Sequence, residues 1–304
     1  MKKIIYSLTH RGLYSELVNL ALAKVYADKY NYRLLVNSRN WNSKIDNGLS
    51  DWFIPYFEET HSILTYQEKI YNNEKPWIGK IYYNPSAFWG YWRERLYNKI
   101  FKFFSPTALL SKESFQRMHS GDFLSQYSEG ELLNAVSNSF KKFYNYNALT
   151  QNSISEKKQY INIPDNYISV HIRRGDKIVT GEMEDIDLNI YADTIRKYSY
   201  ISNNIYIATD DVTVISYISK KLSDIDTNIY YNKENKLKGF DEKTYNLKSD
   251  SVRRDEVLNM LFDMDMMINS SFFIGTFSSN VGCVVAMYLG LDKCHSIDVS
   301  WKIV

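Results

Sequence analysis

Two adjacent arginines stand in a stretch of the sequence that reads HIRRGDK. Arg173 and Arg174 carry planar guanidinium groups, and their N–H donors match two oxygens of a phosphate. The pair therefore indicates a diphosphate site at this turn. Paired arginines beside an acid such as Asp176 also form solvated ion pairs without a ligand, and the residue types alone favour neither interpretation.

A second stretch, GTFSSN at residues 275–280, lies just before a helical pattern. The free N–H groups and the dipole at the start of a helix stabilise an anion. Ser278 and Ser279 would add hydroxyl donors to such a site. Serine is also a good helix N-cap, and a capping serine can still face a ligand.

Several further polar residues are candidates for a role in binding or catalysis. Asp210 and Asp211 could bind a metal, hydrogen-bond sugar hydroxyls or cap the next helix, and we expect one of them to be a cap. Asp263 stands among methionines and leucines, where an acid is costly to bury unless it is paired. His171 ends an apolar strand, where a satisfied core histidine is more frequent than a ligand-binding one.

Glu182 and Glu184 follow the arginine stretch in a segment that reads TGEMEDID. Acids in such a loop are ordinarily solvated. A glutamate that reaches a bound sugar donor could instead act as a general base.

The second half of the sequence alternates strands and helices in a way that would position these residues. Apolar runs predict strands at 167–172, 204–208, 227–231, 272–274 and 295–297. Helical spacing occupies 189–198, 212–222, 252–268 and 280–289. This order predicts a doubly wound parallel sheet, and ligands of such sheets bind beyond the carboxyl ends of the strands. The polar stretches after residues 172, 208 and 274 should therefore line one crevice.

The first half begins with a strand at 4–7, a helix that reaches residue 30 and a strand at 33–36, which together form a βαβ unit. Residues 41–146 are rich in aromatic side chains, and we expect helices that cover the sheet. The polar run QNSISEKK suggests a domain boundary. We therefore predict an N-terminal α/β domain at 1–150 and a Rossmann-like domain at 151–304.

Composition excludes several classes of protein. The 304 residues include 37 basic and 35 acidic ones, a net charge of +2, so the chain lacks the charge typical of nucleic-acid binders. Only two cysteines occur, without metal-ligand spacing, and no apolar run is long enough to span a bilayer. The N-terminal stretch contains charged residues too early for a signal peptide. We expect a cytoplasmic protein. The basic and aromatic stretch at 89–104 is predicted to be a packed amphipathic helix.

Three ordered motifs resemble those of the α-1,6-fucosyltransferase family. HIRRGDK is similar to the family's HVRRTDK, IYIATDD to its second motif and FIGTFSSNVG to its third. The spacing from Asp263 to Ser279 also matches, and the N-terminal half is similar more loosely. The resemblance implies a GT-B-like fold with two Rossmann-like halves and a nucleotide-sugar site in the C-terminal half. It further implies an inverting, metal-independent transferase that uses GDP-fucose as donor, needs no further cofactor and acts on an oligosaccharide acceptor. The domain at 1–150 would then be the acceptor side, and the stretch at 89–104 could form part of the acceptor groove in place of a packed helix. We expect an enzyme of bacterial or viral type.

The resemblance also implies roles for individual residues. Arg173 and Ser279 would contact the β-phosphate of the donor, His171 and Asp263 would hold guanine, and Lys177 would assist the leaving group. The remaining donor-side positions of the three motifs are Arg174, Asp176, Asp210, Asp211 and Ser278.

The sequence departs from the family pattern at three places near the site, the first of which is Gly175 in place of the family's threonine. The family's catalytic glutamate follows its lysine by four residues, a place held here by Gly181, so Glu182 takes the role only with a one-residue insertion. Cys283 stands where the animal enzymes have an arginine. The alternatives are a transferase of the same fold with another nucleotide sugar, or a silent protein that binds a nucleotide sugar or a glycan.

Overall fold

The computed structural model of the chain describes residues 2–62, 85–175, 185–234, 245 and 248–303, without the side chains of 85–91 and 94. The chain divides into two compact units, Met1–Asn145 and Tyr146–Val304. The polar run at 151–158, expected to mark the boundary, lies instead within a helix. This helix buries Thr150 and Ile154, and the polar residues of the run are exposed or half-buried, so the change in composition marks a partly solvated helix.

The first unit contains a parallel sheet of three strands in the order β1-β2-β3. The strands are β1 (Lys3–Ser7), β2 (Arg33–Asn37) and β3 (Glu58–Thr60). The helices are α1 (Leu13–Lys29), α2 (Pro85–Phe104), α3 (Ser111–Met118), α4 (Gly121–Leu124) and α5 (Glu129–Phe143). The βαβ unit and the helical region match the sequence pattern. The strand β3 was not expected, because three residues reading EET carry no apolar alternation.

One helix of this region is only partly packed. The stretch at 89–104 was expected to be a packed amphipathic helix or part of an acceptor groove, and α2 exposes Leu96, Phe103 and Phe104 to solvent. Tyr97 and Phe101, which lie beside these side chains on the helix, are half-buried. The first alternative therefore holds for part of the helix, and the second stays a prediction.

The second unit contains a parallel sheet of five strands in the order β6-β5-β4-β7-β8. The strands are β4 (Ile168–Ile172), β5 (Asn204–Thr209), β6 (Asn228–Tyr231), β7 (Phe272–Gly275) and β8 (Cys294–Ser296). The helices are α6 (Ala148–Ile161), α7 (Leu188–Tyr198), α8 (Thr213–Lys221), α9 (Asp250–Ile268) and α10 (Asn280–Leu289). Apart from α6, these elements lie where the alternating pattern predicts them.

Strand alternation divides the core of this unit into two layers. Ile168, Val170 and Ile172 of β4 pack on one face with the apolar sides of α7 and α8. Each fully buried isoleucine contributes roughly 1.5–3 kcal/mol. The residues between them, Ser169 and His171, belong to the opposite face, and α9 contacts both β4 and β5.

The strand order creates a point where the winding reverses. From β4 the chain proceeds outward to β5 and β6, and then crosses to β7 on the other side of β4. In doubly wound sheets the ligand crevice opens at this switch point, outside the carboxyl ends of the two strands. Among the described helices, none is both long enough and apolar enough to cross a membrane.

Candidate functional site

A carboxylate from the neighbouring strand holds the arginine turn after β4. The register pairs Ile172 with Thr209, which places Asp210 beside the turn. Its Oδ1 accepts the amide of Arg174 at 2.7 Å, and its Oδ2 accepts the amide of Gly175 at 3.0 Å. Asp210 therefore fixes the backbone that carries both arginines.

The two arginines of this turn differ in their surroundings. The guanidinium of Arg174 forms an ion pair with Asp185 and donates to the carbonyl of Ile186 at 3.4 Å. Arg174 thus makes the structural ion pair that the sequence left as one of two interpretations. The positive charge of Arg173 reaches His171, whose pKa it helps to lower. Arg173 is thus the cation of this pair that lies close enough to the predicted donor residue His171 to affect its pKa.

A second carboxylate holds the serine turn after β7. Asp298 accepts the amide of Phe277 at 2.9 Å and the amide of Ser278 at 3.2 Å. Burial opposes ionisation of Asp298, but hydrogen bonds from Ser278, Ser296 and backbone amides outweigh it and lower its pKa. The turn was expected to offer free N–H groups, and two of its amides are instead occupied by this internal anion.

Other donors at the start of α10 remain available. The Ser279 hydroxyl accepts the amide of Val281 at 3.3 Å, so this serine is the N-cap that the sequence suggested. Within the described residues, the amides of Ser279 and Asn280 make no hydrogen bond. The buried hydroxyl of Thr276 is likewise unpartnered there. Unpaired donors at a helix N-terminus are suited to an anion.

Small residues allow α10 to pack directly beneath this turn. A Cβ at Gly282 would overlap the carbonyl oxygen of Thr276, so only glycine permits the approach. The thiol of Cys283 donates to the carbonyl of Phe277 at 3.2 Å. Burial raises the pKa of Cys283 to about 12, and the residue is a neutral support of the turn.

The two consecutive aspartates after β5 have separate tasks. Asp210 binds the arginine turn through two backbone amides. Asp211 accepts the amide of Thr213 at 2.9 Å and its hydroxyl at 2.7 Å, at the first residue of α8. The expectation that one of the pair caps the following helix agrees with Asp211.

His171 is buried and uncharged. Desolvation, followed by the charge of Arg173, lowers the pKa of His171 to about 3. Its Nδ1 is buried and has no hydrogen-bond partner within the described part of the chain. A satisfied core histidine would have one, so this ring nitrogen is available to a ligand.

Asp263 lies on α9, above the sheet face that carries His171. Tyr206 of β5 donates its hydroxyl to Oδ1 of Asp263 at 2.6 Å, which supplies the partner that a half-buried acid requires. Burial raises the pKa of Asp263 to about 7, and this hydrogen bond partly opposes the rise. Near neutral pH the carboxyl group therefore exchanges between its two forms.

The remaining predicted residues lie outside the described part of the chain. These are Asp176, Lys177, Glu182 and Glu184. Their roles stay predictions. Over the described ranges, no three His, Cys, Asp or Glu residues gather as metal ligands.

Sequence reasoning missed three residues that shape the site: Asp298, Thr276 and Tyr206. Asp298 follows β8 by two residues, so the rule that examines the residues after each strand would have found it. Thr276 lies within the serine motif but was passed over in favour of the serines. Tyr206 is an interior strand residue, and nothing in the sequence indicates that it pairs with Asp263.

Solved structures of fucosyltransferases share this fold. The α-1,6-fucosyltransferase NodZ soaked with GDP-fucose superimposes with a TM-score of 0.56 at 15% identity, over 94% of this chain and 92% of that one. NodZ from Bradyrhizobium superimposes with a TM-score of 0.55 at 14% identity, over 94% of this chain and 91% of that one. POFUT1 in complex with GDP superimposes with a TM-score of 0.57 at 11% identity, over 98% of this chain and 99% of that one.

These likenesses confirm the predicted α/β, GT-B-like fold. No protein-family model and no curated protein matches the chain. The identities are low, so the likeness establishes the fold, and the chemistry must be argued from the site.

Proposed function

We propose that the chain is a glycosyltransferase that moves fucose from GDP-fucose to a hydroxyl group of a glycan acceptor. The observation that carries the proposal is the pair of carboxylate-held turns on the two sides of the switch point. One turn presents the cation Arg173, and the other presents the unpaired donors that begin α10. The bound GDP and GDP-fucose of the neighbouring structures support the same class of ligand.

The described residues suggest how such a donor would bind. Arg173, the amides of Ser279 and Asn280 and the Thr276 hydroxyl would contact the diphosphate. Ionised Asp263 would accept the N1–H and amino donors of guanine, a pattern that adenine and uracil do not offer. The neutral ring of His171 would supply a further polar contact to the base.

The transfer step follows from the chemistry of the donor. An acceptor hydroxyl loses its proton to a base and attacks the anomeric carbon of fucose, while the bond to GDP breaks and the configuration inverts. Arg173 and the α10 N-terminus would neutralise the departing diphosphate in place of a divalent metal. Lys177 would assist them, and Glu182 would be the base, both on the strength of the family resemblance.

Calorimetric titration tests the donor class without knowledge of the acceptor. We expect GDP to bind with micromolar or better affinity, UDP and ADP to bind much more weakly, and a chelator to have no effect. Equal binding of the three nucleotides would contradict the proposal. Binding of GDP that a chelator abolishes would contradict metal independence.

Asp263→Asn sharpens this titration. The variant removes the negative charge that accepts two guanine donors but leaves the diphosphate contacts intact. We expect its preference for GDP over ADP to fall at least tenfold. Turnover of GDP-fucose with a panel of oligosaccharides then separates an active transferase from a silent binding protein.

A further inference from the structure

Helix α2 of the first unit carries an exposed apolar stripe. Leu96, Ile100, Phe103 and Phe104 follow one another at helical spacing, and all four are exposed to solvent. The two phenylalanines are 82% and 75% exposed, and their rings contact each other edge to face. Soluble proteins rarely leave such a contiguous apolar patch uncovered unless it binds something.

Basic residues accompany this stripe. Residues 92–104 contain four basic residues, Arg93, Arg95, Lys99 and Lys102, and one acid, which gives a local net charge of +3 in a chain of net charge +2. Arg93, Arg95 and Lys99 are exposed. Lys102 is instead paired with Glu113 at 2.6 Å. The positive charge is therefore concentrated where the apolar side chains are.

We infer that the exposed face of α2 binds an anionic lipid surface. A helix with aromatic and aliphatic residues on one face and cations at its border lies in the plane of a membrane interface. The lysine and arginine stems can lie along the apolar zone while their charged ends reach the phosphates. Each cation near an anionic surface adds about a fivefold gain in partitioning.

The charge distribution favours a lipid surface over a second copy of the chain. A symmetric dimer through this face would bring the same cations of both copies together, and like charges in contact disfavour association. An anionic surface removes this repulsion and covers the phenylalanines at the same time. The residues of this face are not among those of the proposed nucleotide site, so lipid binding and GDP binding can be measured separately.

Vesicle co-sedimentation of the full chain tests the inference. The probes are vesicles of phosphatidylcholine alone and of phosphatidylcholine mixed with phosphatidylglycerol. We expect binding to the mixed vesicles that weakens with added salt, and little binding to the neutral ones. Absence of binding to the mixed vesicles would overturn the inference.

Two variants and one matched control identify the face. Phe103→Gln with Phe104→Gln should weaken binding at least tenfold, and Arg93→Glu with Lys99→Glu should abolish the preference for anionic lipid. Leu149→Gln with Tyr200→Gln is the control, because those residues are 75% and 80% exposed in the other unit. The control should bind vesicles as the native chain does. Equal binding of the phenylalanine variant would overturn the inference.

Thermal unfolding, GDP affinity, sedimentation and RNA binding are then measured on the same proteins. Together they distinguish a lipid-binding face from a dimer face and from a nucleic-acid face. Unchanged thermal unfolding and unchanged GDP affinity in the phenylalanine variant show that the fold and the nucleotide site are intact. A dimer in sedimentation that the phenylalanine variant dissociates, without vesicle binding, would assign the face to a second copy. Binding of an RNA oligonucleotide in place of vesicles would assign it to nucleic acid. Either result contradicts the lipid surface.

Discussion

The turns on the two sides of the switch point share one construction and differ in what they present. In each turn, a carboxylate from the next strand outward holds two consecutive amides: Asp210 holds those of Arg174 and Gly175, and Asp298 holds those of Phe277 and Ser278. The first turn carries fixed positive charge. The second carries neutral donors and a helix N-terminus. A diphosphate between them would be attracted by the charge on one side and fitted by directed N–H groups on the other.

This difference predicts unequal contributions to binding. A guanidinium that meets a phosphate forms charge-assisted hydrogen bonds, which are stronger than those of neutral donors. A rigid turn of neutral donors contributes to binding affinity mainly because its N–H groups are held in fixed directions. The following variants separate the two contributions, in order of expected effect.

Arg173→Ala should give the largest loss. Removal of the guanidinium deletes charge-assisted contacts to the phosphates, and we expect GDP affinity to fall about a hundredfold, or about 3 kcal/mol. Arg174→Ala is the matched comparison. The Arg174 side chain is already paired with Asp185, so its removal should lower GDP affinity much less. Calorimetry with both variants measures the difference. Equal losses would show that the arginine turn does not divide its tasks in this way.

Removal of either carboxylate should give the next largest loss. Asp210→Ala and Asp298→Ala each leave two turn amides without their acceptor, and we expect about a tenfold loss of GDP affinity in each. Asp210→Asn and Asp298→Asn should lose less GDP affinity than the alanine variants, since the carbonyl oxygen of asparagine can still accept one amide. Asp224→Ala is the control, because that exposed acid pairs with Arg196 away from the site. Native GDP affinity in Asp298→Ala would contradict the claim that both carboxylates support diphosphate binding.

The pH dependence of GDP binding should report Asp263. The pKa of this carboxyl group is raised to about 7 by burial, and only its ionised form accepts both guanine donors. Binding must then expel a proton at low pH, so affinity should fall about tenfold from pH 8 to pH 6. Asp263→Asn keeps any titration of the diphosphate itself and removes this contribution. The same pH profile in the variant would exclude Asp263 from the base site.

Tyr206→Phe sharpens that result with a smaller effect. The tyrosine hydroxyl donates to the Asp263 carboxylate and lowers its pKa, against the effect of burial. Without this hydrogen bond the pKa should rise, and the midpoint of the pH profile should move to higher pH. The midpoint is read from the same titrations. A move to lower pH would contradict the assignment of the hydrogen bond.

Gly282→Ala should perturb only the serine turn. The new methyl group would lie well inside van der Waals contact with the carbonyl oxygen of Thr276, so the turn and the helix must move apart. We expect a severalfold loss of GDP affinity and a lower unfolding temperature. Gly130→Ala in α5 has open space around the new methyl group and should instead stabilise the helix by about 1 kcal/mol. Unchanged affinity in Gly282→Ala would mean that the turn is not part of the site.

The sequence predicts the sheet of the second unit well because most of its strands are short runs rich in Ile, Val, Phe and Tyr, separated by helical patterns. The polar turns after residues 172, 208 and 274 follow from the same pattern, since ligand-binding residues come after strands. Short or solvated elements escape this reasoning. The strand β3 lacks apolar residues, and the polar run in α6 resembles a linker because its exposed face is long.

Pairings between distant residues could not be predicted either. Asp298 and Phe277 are 21 positions apart, and Tyr206 and Asp263 are 57 apart. Only the strand register and the placement of α9 bring these groups together. The pKa of Asp263 is a property of that packing, and the sequence shows only that an acid stands among apolar residues.

Hydrogen exchange of the backbone amides tests the central claim most directly. If a guanosine diphosphate binds between the two turns, GDP should slow exchange in peptides that cover 276–282, where the amides of Ser279 and Asn280 gain a partner. It should also protect the arginine turn at 173–175, and UDP at the same concentration should protect neither. Protection by GDP confined to other parts of the chain, or absent altogether, would contradict a nucleotide site at the switch point.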